Sequence, residues 1–147
     1  MNKNYSRYLL AGVLLLGLTD VYAQDTTLFA RLSGGNEVSA LGVANVGDQD
    51  GIGSASVLIH NNRLCFSILV NNLSVPVAAH IHKAVAGVNG PVAVGLIKPN
   101  RGNLGFSHGC MVVSAATLAD IKTNPANYYV NVHTDQFAGG AVRGQLF

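Results

Sequence analysis

Two alternating runs joined by a pair of asparagines constrain this chain most. In residues 63–70, Leu64, Phe66, Ile68 and Val70 fall on one side of an extended strand and polar or smaller residues on the other. Residues 54–60 form a second run of the same kind. Between them, Asn61-Asn62 makes a two-residue turn, because asparagine tolerates positive φ. That is a β-hairpin, and it commits the chain to sheet. Other short runs repeat the signal: residues 27–32, 77–83, 91–97, 106–113, 128–134 and 141–147. In the fourth strand, Val77, Ala79 and Ile81 are expected on one face and His80 and His82 on the other. Glycines at 34, 35, 42, 47, 51 and 53 make 34–53 mostly loop. One segment reads as helix, residues 115–122, with Ser114 as N-cap, Leu118 and Ile121 three apart, and Asn124-Pro125 as its stop. The expected fold class is all-β, an antiparallel Greek-key-like sandwich or barrel of about eight strands with one short helical crossover.

The first residues are not part of that domain. Lys3 and Arg7 precede an apolar run at 8–18, and Val21-Tyr22-Ala23 suits a signal peptidase. Residues 1–23 therefore read as a signal peptide and 24–147 as one mature domain. The apolar run is about half the roughly 20 residues of a spanning helix, so no membrane insertion is expected after signal removal. The expected location is periplasmic or secreted. The formal charge of +2 includes Lys3, Arg7 and Asp20. No basic stripe remains without them, which argues against nucleic acid as a partner. Cys65 and Cys110 are the only cysteines. In an oxidising compartment such a pair forms a disulfide; a thiolate metal site is the alternative.

The candidate chemistry lies in the histidines. His80 and His82 are two apart, so on a strand both imidazoles leave the same face, close enough to converge on one ion. In residues 128–134, Val130 and Val132 share the core face, while Tyr129, Asn131 and His133 share the other. If that strand neighbours the His80 strand, three imidazoles meet. Such a donor set suits copper first and zinc second among the candidate cofactors. The competing reading is that these are ordinary histidines hydrogen-bonded to backbone. Asp48 and Asp50 are a weak calcium signal beside a solvated loop. Ser107-His108 near Cys110 lacks a triad pattern, and Asn72-Leu73-Ser74 is a glycosylation sequon that acts only in a eukaryotic secretory route.

Several motifs in order carry a family resemblance. The segment at 29–38, FARLSGGNEV, resembles the opening of the CHRD domain, the module first named from chordin. AAHIH at 78–82, followed by Gly87 and Gly90-Pro91-Val92, is similar to its centre. YYVNVHT at 128–134 and GGAVRGQL at 139–146 are similar to its end. Ser39-Ala40, Lys83-Ala84, Ala138 and Ala141 depart from the family pattern at loop positions. The resemblance implies an extracellular or periplasmic antiparallel β domain and no defined activity. Locally, the His-x-His and the later strand histidine also resemble the copper site of copper/zinc superoxide dismutases, with His108 as a candidate fourth ligand. Arg143 takes two readings: steering an anion toward a metal, or pairing with Glu37 to tie the first loop to the last strand, which is favoured.

The expectation is an exported CHRD-domain protein binding a metal ion, copper above all, for copper buffering, delivery or oxidative defence. The alternative is a metal-free module binding an extracellular or envelope protein or matrix. Five tyrosines and five phenylalanines, most at strand positions, give that alternative no evident exposed aromatic patch.

Overall fold

A computed structural model describes residues 24–147. The expected signal peptide, residues 1–23, lies outside the described residues. Eight strands form one antiparallel sheet: β1 Thr26–Ser33, β2 Ile52–His60, β3 Arg63–Asn71, β4 Pro76–Lys83, β5 Val92–Leu96, β6 Gly105–Val112, β7 Tyr128–Thr134 and β8 Val142–Gln145. Their order is β5-β4-β7-β8-β1-β2-β3-β6. The sheet curls into a nearly closed barrel, so the two expected architectures resolve to one continuous sheet rather than two stacked ones. Its ends, β5 and β6, meet at a seam where a Cβ on Gly109 would sit 3.1 Å from Ile97 Cδ1.

The inner face follows the period of two. Leu28, Ala30 and Leu32 of β1, Val57 and Ile59 of β2, and Leu64, Phe66, Ile68 and Val70 of β3 are all buried. Asn61 turns the hairpin at φ 51°. The α-helix α1, Ala115–Thr123, carries the chain from β6 to β7. Ser114 caps it, accepting a 3.2 Å bond from the Thr117 N–H, and Leu118 and Ile121 join the core. Among the described residues no helix is long and apolar enough to cross a membrane.

Two expectations need correction. Val77 is not on the core side with Ala79 and Ile81; it is 51% exposed. A register shift between Pro76 and Ala78, where β4 pairs with β7, takes Val77 out of the alternation. Residues 34–53 are less solvated than a loop of glycines suggests, because Glu37, Val38 and Asp48 are buried. That segment folds back over the outer face of β7 and β8, with the Asp48 N–H donating to Ala141 O at 2.9 Å.

Cys65 and Cys110 face each other across β3 and β6 and are disulfide-bonded. The bond closes a loop with a sequence separation of 45, for which chain entropy gives about 4 kcal/mol. A Cys65→Ala/Cys110→Ala variant should therefore lose several kcal/mol in denaturant unfolding, with its far-ultraviolet spectrum unchanged. Equal midpoints for parent and variant would contradict this.

Candidate metal centre

β4 and β7 are antiparallel neighbours, the condition on which the three-histidine reading depends. His80 lies opposite Asn131, His82 opposite Tyr129, and Ala78 opposite His133. Ala79, Ile81, Val130 and Val132 fill the barrel on the other side. Alternation therefore leaves His80, His82 and His133 together on the outer face, each half-buried. One ring nitrogen from each lies within 4.8 Å of the others, the one such group found among the described residues.

The hydrogen bonds decide which nitrogens are free. His82 Nδ1 is 2.9 Å from Gly90 O, and His133 Nδ1 is 3.0 Å from Ala138 O. A carbonyl oxygen only accepts, so both Nδ1 atoms carry the proton and both Nε2 atoms present a lone pair. His82 Nε2 is buried and has no partner. His133 Nε2 is 3.1 Å from His80 Nδ1, which must then be the donor. Two nitrogens each about 2.05 Å from one ion lie about 3.1 Å apart at an angle of about 100°. An ion in place of that proton would need little movement of this pair, with the His80 proton passing to Nε2. Burial holds all three imidazoles below their ordinary pKa. The two carbonyl bonds pull His82 and His133 partly back, and the nearby positive groups push the same way as burial. The rings are thus kept neutral, the form that ligates.

A buried ion pair stands beside the histidines on this face, covered by the 34–53 segment. Glu37 and Arg143 are 1% and 3% exposed at the side chain, and Arg143 Nε donates to Glu37 Oε2 at 2.6 Å. Arg143 also donates to Val88 O at 3.2 Å and to Asn89 Oδ1, and its guanidinium lies 4.4 Å from the centre of the Tyr129 ring. The Tyr129 ring is stacked on His82, with centroids 4.9 Å apart. Glu37 Oε1 accepts from Asn131 Nδ2 at 2.5 Å. Burial raises the Glu37 pKa more than Arg143 and Asn131 lower it. Arg143 pairs with Glu37 and ties the segment after β1 to β8.

The other candidates fall elsewhere. His108 is exposed on β6, with its ring stacked on Phe106, and lies outside the three-histidine group. It faces outward beside Ser67 and is not among the ring nitrogens that come together. His60 pairs with Asp25 at 2.5 Å on the surface. Asp50 is exposed and Asp48 sits in a turn closed by Gly51 N–H to Asp48 O, and neither joins a group of three candidate ligands among the described residues. Sequence reasoning missed the Gly90 and Ala138 carbonyls, because every residue has a carbonyl and none announces its partner. Asn131 was legible as a neighbour on the right face but not as a member of the ion-pair network.

The family model of the CHRD domain matches residues 28–146, nearly the whole chain. No curated protein and no solved structure matches.

Two outcomes follow from the geometry. In chelator-treated protein, the depressed imidazoles cost stability only when protonated. Stability should be complete above pH 6.5, the ordinary histidine value, and fall as pH drops below it. A His82→Gln/His133→Gln variant should lose less over the same range in thermal unfolding. Separately, Arg143→Ala strands a buried carboxylate and should cost about 3–5 kcal/mol in denaturant unfolding. A loss under 1 kcal/mol would mean the pair is not formed as described.

Proposed function

The chain belongs to the CHRD-domain family, and on that footing we propose that it binds one metal ion, copper(II) in preference to zinc, through His80, His82 and His133. The observation that carries this reading is the tautomer pattern. Two carbonyls hold the Nδ1 protons of His82 and His133, leaving Nε2 lone pairs on a shared outer face. Metal-ligating histidines almost always donate their other ring N–H to an outer-shell partner of this kind. Three neutral nitrogens favour copper at the top of the divalent affinity series. Three ligands also leave a position for water. The disulfide fits an oxidising compartment, so the proposed setting is the periplasm or the secreted fraction. There the protein would buffer or deliver copper, or take part in oxidative defence.

A second reading, an extracellular protein- or matrix-binding module, gains support from one observation. The outer face of β1, β2, β3 and β6 exposes Phe29, Leu69 and Phe106, at 51%, 54% and 43%, with Phe147 beside Phe29. Exposed aromatic side chains that the sequence left unseen are therefore there, in two pairs, Phe29 with Phe147 and Phe106 beside Leu69. None of them lies on β4 or β7, and they are compatible with a metal centre on the β4–β7 face.

Copper titration with elemental analysis tests the first reading. The parent should retain one copper per chain after free ion is removed. His80→Ala/His82→Ala should retain none while its metal-free melting curve stays cooperative. Unchanged uptake by the variant would move the site elsewhere, and no uptake by the parent would leave the binding-module reading.

A further inference from the structure

We infer that Asn131 is the positioning residue of the three-histidine centre, its Oδ1 accepting a hydrogen bond from water at the open position of the ion. This rests on the metal reading above. Three buried side-chain atoms among the described residues have no hydrogen-bond partner: His82 Nε2, Ser107 Oγ and Asn131 Oδ1. Ser107 is opposite Ile68 and points into the barrel. The other two lie on the same outer face, and Asn131 is directly opposite His80. Leaving an amide oxygen dry and unpaired in a folded protein is costly, so such an atom calls for a partner.

The amide has no freedom to turn elsewhere. Its Nδ2 donates to Glu37 Oε1, and the other oxygen of that carboxylate is held by Arg143. A carboxylate cannot donate, so the amide nitrogen faces Glu37 and the oxygen takes the opposite branch. Arg143 is the neighbour of Asn131 on the β8 side and His80 its neighbour on the β4 side. With Glu37 bound to Arg143, the side left for Oδ1 is that of His80. Cross-strand partners have Cβ atoms about 4.5–5.5 Å apart, within reach of one water. His82 and His133 reach the shared point through Nε2, farther from the backbone than an asparagine oxygen, so an ion held by the three histidines would have Oδ1 within reach through one water. Asn131 thereby connects the buried ion pair to the fourth position of the site. A water held there is exchangeable, which is where a small oxygen-donor ligand would enter.

Asn131→Ala is compared with the parent by copper competition and by pulsed electron paramagnetic resonance in H2O and D2O. The variant should keep the nitrogen couplings of three imidazoles, bind copper about 10–100-fold more weakly, and show an altered coupling to exchangeable water protons. Weaker binding with the water coupling unchanged would mean that Asn131 only supports the fold, and would overturn the inference, as would no change in either. A parent that takes up no copper defeats the three-histidine reading and this inference with it. Should the variant fail to fold, the parent decides. With asparagine side chains labelled in 13C, the Asn131 Cγ signal should shift when zinc is added. A Cγ signal that does not move overturns the proposal.

Discussion

The Glu37–Arg143 ion pair is the interaction on which the histidine face depends. Its partners are far apart in sequence, one just after β1 and one in β8, and both are almost fully buried. Isolated charges at that depth would be prohibitively costly, and each is tolerated because the other is there. Every segment that touches the centre is also attached to the pair. Arg143 bonds Val88 O and Asn89 Oδ1 in the β4–β5 loop, and the next residue, Gly90, supplies the carbonyl that holds His82. Asn89 Nδ2 in turn bonds Val38 O and Ser39 O, beside Glu37.

The β7–β8 loop is pressed against the same carboxylate. Gly140 has φ +140°, and a Cβ there would sit 2.5 Å from Glu37 Oε1. Only glycine combines that backbone conformation with that approach. Two residues earlier, Ala138 O holds His133. The two carbonyls that set the tautomers thus sit in two loops that meet at one carboxylate–guanidinium pair. The barrel supplies the third element, because β4 and β7 place the imidazoles side by side with no help from the loops. Rigid strands bring the ligands together, and the ion pair fixes which nitrogen each of them offers.

Much of this is legible in the sequence, unevenly. The hairpin of β2 and β3 reads directly, since Leu64, Phe66, Ile68 and Val70 alternate without a break and asparagines mark the turn. Ser114 marks the helix in the same local way. The three histidines are visible as candidates because period two puts them on one face, but their meeting depends on β4 and β7 being neighbours. That is a long-range pairing that no local pattern encodes. Val77 breaks the alternation through a bulge, which a strict count of two cannot anticipate. His108 reads as a ligand by residue type alone, and it lies outside the group of ring nitrogens that meet. The pairing of Glu37 with Arg143 comes with the family motifs and not from any local pattern, and the carbonyls of Gly90 and Ala138 carry no side-chain signature.

The central claim is that His82 and His133 are held with the proton on Nδ1 and a free Nε2. The most direct test is a long-range 1H–15N correlation spectrum of the histidine rings in metal-free protein. The account predicts Nδ1–H tautomers for both residues at neutral pH, with Nε2 at the shift of an unprotonated nitrogen that moves when zinc is added. Nε2–H tautomers at His82 and His133, unmoved by zinc, would contradict it.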